Sequence, residues 1–341
     1  MLQRGEWMNI LAIIPARSGS KSVPHKNIRL INDKPMLAYS IEHAKQSADI
    51  NRIILSTDSE EYARIGREYG AEVPFMRPAE YATDTALDID VFYHCLRFLE
   101  EQEGYHADIV IQLRPTYPIR EIADIDAMIK IMMEKPEVDS VRSIAPAKEI
   151  PYKMWHRQED GMITPIMKDI PECYNMPRQQ LPKVYYQNAC IDVVRADVIL
   201  KEHSMSGNRI YGYEMSKNYD IDTEEELALS EEFLKITAGQ KRFVFDIDGV
   251  IAKLQKDNDY AMSEPNADVI GIVNKLYDLN NHIVLHTARG YVTGIDWSEI
   301  TKKQLSDWGL KYHELHFGKP NADYYVDDKM LNLDKLLELF R

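Results

Sequence analysis

The sequence predicts an α/β protein of two domains, each a mostly parallel sheet flanked by helices. Three observations carry that expectation. Short apolar runs alternate with longer stretches of helical period along the 341 residues, the pattern of strands joined by crossover helices. The alternation breaks at "KITAGQKR", residues 235–242, and a new series opens at "FVFDID". A chain of this length also has room for two cores. The first domain is expected over 1–236, a linker around Gly239 over 237–241, and the second domain over 242–341.

The elements follow in order. Strands are expected at "NILAII" from Asn9, "RIILST" from Arg52, "DIVIQL" from Asp108 and "VDSVRSI" from Val138. Between them, residues 36–47, 59–69, 86–103 and 121–134 read as helices; in the last, Ile122, Ile125, Met128 and Ile129 recur at helical spacing. From about Val141 to Val184 apolar side chains occur without a steady period, in "PYKMW", "MITPIM" and "ECYNMP", which reads as a protruding arm. Beyond the linker, "FVFDIDGV" and "IVLHTARG" read as strands, and "NADVIGIVNKLYDLNN" and "DWSEITKKQLSDWGL" as helices.

Composition narrows the function classes. Cys95, Cys173 and Cys190 are odd in number and lack C-x-x-C spacing, so buried thiols are expected rather than a disulfide framework or zinc site. The formal charge of −14 argues against a nonspecific nucleic-acid binder. No apolar run is long enough to span a bilayer and the N-terminus shows no cleavable signal pattern, so no membrane partner and a cytoplasmic location are expected.

Two stretches carry chemistry. In "IIPARSGSKSVPHKNI", residues 13–28, Arg17, Lys21 and Lys26 stand among Ser and Gly directly after an apolar strand. Backbone N–H groups exposed at such a turn, with charged side chains beside them, suit the oxygens of a nucleoside triphosphate. Neither the dinucleotide fingerprint nor the P-loop spacing is present. In "YDIDTEEEL", Asp220 and Asp222 lie two apart, so on an extended segment they face one side and can share a divalent ion. The same residues also read as a helix N-terminus, with Asp222 or Thr223 as cap.

Residues from about Ile10 to Glu226 resemble the CMP-sialic acid synthetases and related nonulosonic-acid cytidylyltransferases. The resemblance rests on the blocks already quoted together with "STDSEEYARIGREYGAEVPFMRP", "YATDTALDIDV", "LRPTYPIR" and "MPRQQLPKVYYQNACIDV", all in order. It implies a Rossmann-like nucleotidyltransferase domain that joins CTP to an acidic sugar, with Mg²⁺ on Asp220 and Asp222. It further implies Arg17 and Lys21 on the triphosphate as catalytic groups, Lys26 and Asn27 near the nucleotide, and Arg77 near the cytosine. Arg178, Gln179 and Asn188 are implied at the acceptor. Where relatives often read Q-P-T-S-P-L-R this chain has "LRPTYPIR", so Arg114 replaces an acceptor-contacting Gln and Tyr117 replaces a Ser. That exchange points to a different acidic sugar or an additional anionic group. Relatives dimerise through an arm beside the acceptor, so a homo-oligomer, dimer or tetramer, is expected.

Residues 242 to about 332 resemble the phosphatases of the haloacid dehalogenase superfamily, through "FVFDIDGV", "IVLHTARG", "FGKP" and "YYVDDK" in that order. The resemblance implies Asp246 as nucleophile, Asp248 as general acid and base, Thr287 and Lys319 on the phosphoryl oxygens, and Mg²⁺ among Asp246, Asp248, Asp327 and Asp328. The spans between these blocks are too short for a large cap, so a small uncapped domain is expected; Glu264, His286, Arg289 and His316 lie near the motifs and read either as contacts to the leaving group or, taken singly, as structural or solvated side chains. Together the two resemblances imply a bifunctional enzyme acting on CTP, an acidic sugar and its phosphosugar. The alternatives are another acidic capsule sugar as acceptor, and a C-terminal domain that serves only oligomerisation.

Overall fold

The computed structural model describes residues 8–19, 24–215, 220–221, 223–254, 259–322, 324–325 and 327–340. Contacts divide the chain into two units, Met1–Leu227 and Ala228–Arg341. The composition change had put the boundary at 237–241. The division falls earlier because the end of one helix belongs to the second core, where the rings of Phe233 and Phe340 lie 5.1 Å apart.

In the first unit the order is β1 (Ile10–Pro15), the short pair β2 (Leu30–Ile31) and β3 (Lys34–Pro35), α1 (Met36–Gln46), β4 (Arg52–Ser56), α2 (Glu60–Tyr69), α3 (Asp88–Glu103), β5 (Ile109–Leu113), α4 (Ile122–Glu134) and β6 (Ser140–Pro146). The arm hairpin β7 (Trp155–Arg157) and β8 (Ile163–Pro165), then β9 (Tyr185–Arg195), α5 (Ala196–Glu202) and β10 (Ile210–Glu214) complete it, and α6 (Glu224–Thr237) starts in this unit and continues into the next. The main sheet has the order β10-β6-β9-β5-β1-β4. β9 runs antiparallel to β5 and β6, while the other pairings are parallel.

Local sequence explains the boundaries. β1 is a continuous apolar run because a central parallel strand is buried on both faces. Ile10, Ala12 and Ile14 pack into one core with Leu37, Ile41 and Ile129. Leu11 and Ile13 pack into the other with Phe92, Leu96 and Ile199. Ser59, expected as the first residue of α2, is instead its cap, accepting from Tyr62 N; Gly70 closes the helix at φ 99°, a conformation open to glycine. The strand expected from Val138 opens at Ser140, because Val138 N donates to Lys135 O and closes a turn after α4. Cys95, Cys173 and Cys190 are free and buried, as expected.

The aperiodic arm is a folded piece with its own small core of Ile150, Tyr152, Cys173 and Leu181, flanked by Met167, Ile170 and Met176. Val141 belongs to β6 and lies in the main core, so the arm begins after that strand.

The second unit carries a parallel sheet, β11 (Arg242–Asp246), β12 (His282–Thr287) and β13 (Glu314–Phe317), in that order. α7 (Ala267–Asp278) and α8 (Ser298–Asp307) connect successive strands, and α9 (Leu333–Phe340) follows. α7 buries Val269, Ile270, Val273 and Leu276, one stripe at helical spacing. Among the described residues no cap domain interrupts this unit, and no helix is long and apolar enough to cross a membrane.

Candidate functional site

The chain runs from β1 to β4 on one side of the sheet and then returns to β5 on the other side of β1. The carboxyl ends of strands at such a switch point leave a crevice, because the connecting loops part in opposite directions. A cleft of about 450 Å³ lies there, lined by Arg17, Lys26, Asn27, Arg77, Asp84, Asp88, Arg114 and Thr116 among others. That volume suits a small molecule of nucleotide size. In a chain of net charge −14 this wall carries four basic side chains against two carboxylates, a local reversal of sign suited to a polyanion.

Each basic group is held by a different element. Arg17, just past β1, pairs with Asp84 at 2.6 Å, and its carbonyl accepts from Asn27 Nδ2 at 2.9 Å. Lys26 donates from Nζ to Ile221 O at 2.9 Å. Arg77 is almost wholly buried; its Nε donates to Ser56 Oγ at 3.0 Å and its Nη2 to Ser56 O. Burial pulls the Arg77 guanidinium down to about 10, with Asp58 and Asp88 working in the other direction, so it stays cationic near neutrality.

Arg114 follows β5 and pairs with Asp88 at 2.6 Å, while Gln112 Nε2 donates to the same carboxylate oxygen at 3.0 Å. Asp88 opens α3 and was not singled out in the sequence; an acidic residue in the first turn of a helix was its available signal. Behind the cleft, Arg120 ties the 114–120 loop together, donating to Arg114 O at 2.5 Å, Cys190 O at 3.1 Å and Ser40 Oγ at 2.9 Å. Tyr117 is buried and donates to Asn188 O. Its phenol is pushed up by burial and by the Asp220 carboxylate beside it.

Asp220 therefore lies beside Tyr117, and its segment is tied to two residues of the cleft wall, by Ile221 N donating to Thr116 O at 3.1 Å and by Lys26 donating to Ile221 O. A carboxylate at this place is a hard oxygen donor of the kind a magnesium ion takes alongside phosphate oxygens. Lys21 and Asp222 lie outside the described residues.

Of the expected acceptor residues Arg114 lines the cleft, whereas Arg178, Gln179 and Asn188 are not in its wall. Arg178 lies in the arm, where its Nη2 donates to Ala147 O at 2.7 Å and Lys148 O at 2.5 Å. Gln179 is exposed in the same turn. Asn188 is buried, its Oδ1 accepting from Ser143 Oγ at 2.5 Å and Cys190 N at 3.3 Å. A buried amide needs those partners, so Asn188 organises β9 instead of facing a ligand.

The second unit assembles another group at its strand ends. Asp246 is the last residue of β11 and Thr287 the last of β12. Lys319 follows β13, fixed by its N–H donating to Thr287 O at 3.0 Å. Lys319 Nζ pairs with Asp246 Oδ2, and Thr287 Oγ1 lies 3.5 Å from Asp248 Oδ2. The four expected residues thus converge. The neighbours divide: Arg289 grips Asp248 at 2.7 Å, and His286 is lowered by burial, Lys319 and His316. Glu264 pairs with Lys253 and His316 with Glu314.

The expected magnesium set of Asp246, Asp248, Asp327 and Asp328 is not formed. Asp327 and Asp328 are exposed, and Asp327 accepts from Lys329 N in a turn. Among the described residues no three His, Cys, Asp or Glu stand close enough to hold a metal ion. Asp246 and Asp248 are each neutralised by a cation, so their repulsion is relieved without one.

Residues 11–249 match the family described as cytidylyltransferase. The chain is similar to the post-translational flagellin modification protein B of Campylobacter coli, 36% identical across 66% of this chain and 95% of that protein. It is similar to the CMP-N,N'-diacetyllegionaminic acid synthase of Legionella pneumophila, 33% identical across 67% of this chain and 97% of the relative. The N-acylneuraminate cytidylyltransferase of Escherichia coli is 32% identical across 68% of this chain, which spans 52% of that protein. Among solved structures, CMP:2-keto-3-deoxy-manno-octonic acid synthetase complexed with CTP shares the fold of the first unit at a TM-score of 0.51 and 17% identity, covering 67% of this chain and 98% of that one.

Proposed function

The chain belongs to the cytidylyltransferase family, and from that premise we propose that it activates an acidic sugar of the nonulosonic class with CTP. The anomeric oxygen of the acceptor attacks the α-phosphorus, the bond from that phosphorus to the β-phosphate bridging oxygen breaks, and the hydroxyl proton leaves to solvent. The products are the CMP-sugar and pyrophosphate. The carrying observation is the cleft at the switch point, where Arg17, Lys26, Arg77 and Arg114 converge.

Arg17 and Lys26 stand beside the strand end and meet the triphosphate, with Lys21 from the same loop, while Arg77 and Asn27 border the nucleoside. Such a reaction accumulates negative charge, so prealigned cations carry most of the acceleration. Asp220, with Asp222 two positions on in the sequence, would hold Mg²⁺, which would supply neutralisation of phosphate charge. Arg114 recognises the acceptor's anionic group once Asp88 shares it, in the role the sequence resemblance gives to a Gln. The names of the relatives support an acceptor such as a legionaminic or neuraminic acid.

The second unit, on this reading, is a phosphatase for a phosphorylated sugar. Its support is the convergence of Asp246, Asp248, Thr287 and Lys319. Asp246 attacks phosphorus and the ester bond breaks, with Asp248 giving its proton to the leaving oxygen. Water then attacks the aspartyl phosphate, returning a proton to Asp248 and releasing phosphate.

The test is a matrix of acidic sugars and their phosphates with each of the four nucleoside triphosphates, read for pyrophosphate and for inorganic phosphate. CTP-dependent pyrophosphate release with a nonulosonic acid is expected. Preference for another triphosphate, or no release with any acidic sugar, overturns the first assignment; no phosphate from any phosphosugar overturns the second.

A further inference from the structure

Arg289 lies two positions past β12 and is 3% exposed. Its guanidinium has five N–H groups, and each meets an acceptor. Nε donates to Asp248 Oδ2 at 2.9 Å and Oδ1 at 3.2 Å. Nη2 donates to Asp248 Oδ1 at 2.7 Å and Ser263 Oγ at 3.3 Å. Nη1 donates to Thr301 Oγ1 at 3.0 Å and Gln304 Oε1 at 2.8 Å. The ring of Tyr260 lies against the guanidinium, its centroid 4.9 Å from the guanidinium carbon.

A guanidinium so surrounded has no donor left for a substrate. The sequence leaves Arg289 either as a contact to the leaving group or as a structural side chain, and these partners favour the second. Its partners come from separate places: Asp248 from the loop after β11, Tyr260 and Ser263 from the 3-10 turn Tyr260–Met262 and its end, Thr301 and Gln304 from α8. Gln304 also holds that turn directly, donating to Tyr260 O at 2.6 Å and Ala261 O at 3.3 Å. Arg289 N donates to Thr287 Oγ1 at 3.1 Å, so the hub is registered to the strand end as well.

We propose that Arg289 is the positioning residue of the second site, fixing the rotamer of Asp248 and clamping the Tyr260–Ser263 turn and α8 around it. The proposal rests on the phosphoryl-transfer reading of Asp246, Asp248, Thr287 and Lys319. A carboxylate on a loop samples several rotamers, and only one aims an oxygen at the leaving group; a two-pronged guanidinium contact selects one. Oδ2 keeps a lone pair met only by the Thr287 hydroxyl at 3.5 Å, a weak contact that a substrate oxygen can replace.

The test is a double-mutant cycle on the full chain with p-nitrophenyl phosphate and a panel of sugar phosphates. Arg289→Met should lower kcat about a hundredfold and leave KM within about threefold, as for loss of an orienting group. In an Asp248→Asn background the same change should lower kcat no further, because two residues that act as a unit are not additive. Gln304→Leu, which keeps the guanidinium and removes one acceptor, should give a loss of about fivefold that also vanishes in that background. Multiplying losses, or a raised KM at unchanged kcat, would overturn the positioning role. A wild-type chain that releases no phosphate from any of these esters instead sinks the phosphoryl-transfer reading, and the role with it.

Discussion

At the residue scale, the cleft depends on side chains whose charge is shaped by burial. Arg77 is held by Ser56 through two donors, and lysine cannot reproduce that planar fork. Arg77→Lys is expected to lower kcat/KM for CTP about tenfold to a hundredfold, the size of one or two charge-assisted hydrogen bonds, as read by pyrophosphate release. His43 offers a pH test. Burial first, then Arg120 and Lys34, lower its pKa to about 3, and its Nδ1 lies 3.4 Å from Arg120 Nη1. Since the unfolded imidazole binds a proton near pH 6.5 and the folded one does not, this group contributes stability above that value and loses it as pH falls toward 3. Urea unfolding at pH 5 against pH 7.5 should show His43→Gln losing about 1–2 kcal/mol less than the wild type. An equal loss in both would show that His43 is protonated in the fold.

At the element scale, the arm between β6 and β9 has a core of its own yet leaves Met154, Trp155, Met162, Ile163 and Ile166 exposed. Trp155 lies on β7 and Ile163 on β8, and Met154, Met162 and Ile166 directly flank these paired strands. An isolated hairpin is marginal in water, and apolar side chains gathered on one suit a partner surface. We predict that the chain assembles at least as a dimer through this arm. Light scattering at micromolar protein should give twice the chain mass or more, and Ile163→Asp should shift it toward one chain. A monomeric wild type ends that idea.

At the scale of the whole molecule, two units each gather charged and polar side chains at the carboxyl ends of parallel strands. Independent turnover is the expectation. Asp246→Asn keeps the volume of the side chain and removes the nucleophile, so phosphate release should fall by about three orders of magnitude or more. CMP-sugar formation from an unphosphorylated acceptor should continue at the wild-type rate. Loss of both activities together would mean that the units are coupled, and persistence of phosphate release would mean that Asp246 is not the nucleophile.

Much of this was legible in the chain before folding. Four strands of the first unit, β1, β4, β5 and β6, lie within two residues of where the sequence put them, most clearly β1, because a central strand buried on both faces is apolar throughout. Arg17, Lys26 and Asn27 were legible as one group because one loop carries them all. Asp246, Asp248, Thr287 and Lys319 were legible because each ends or closely follows a strand of one parallel sheet, which brings distant positions to a common edge. The pairings of Arg17 with Asp84, Arg114 with Asp88 and Asp248 with Arg289 were not. Nor was the burial that turns Asn188 away from the cleft. Local periodicity reports which face of an element is apolar; which loop meets which, and in what rotamer, follows from strand order and packing between residues far apart in the chain.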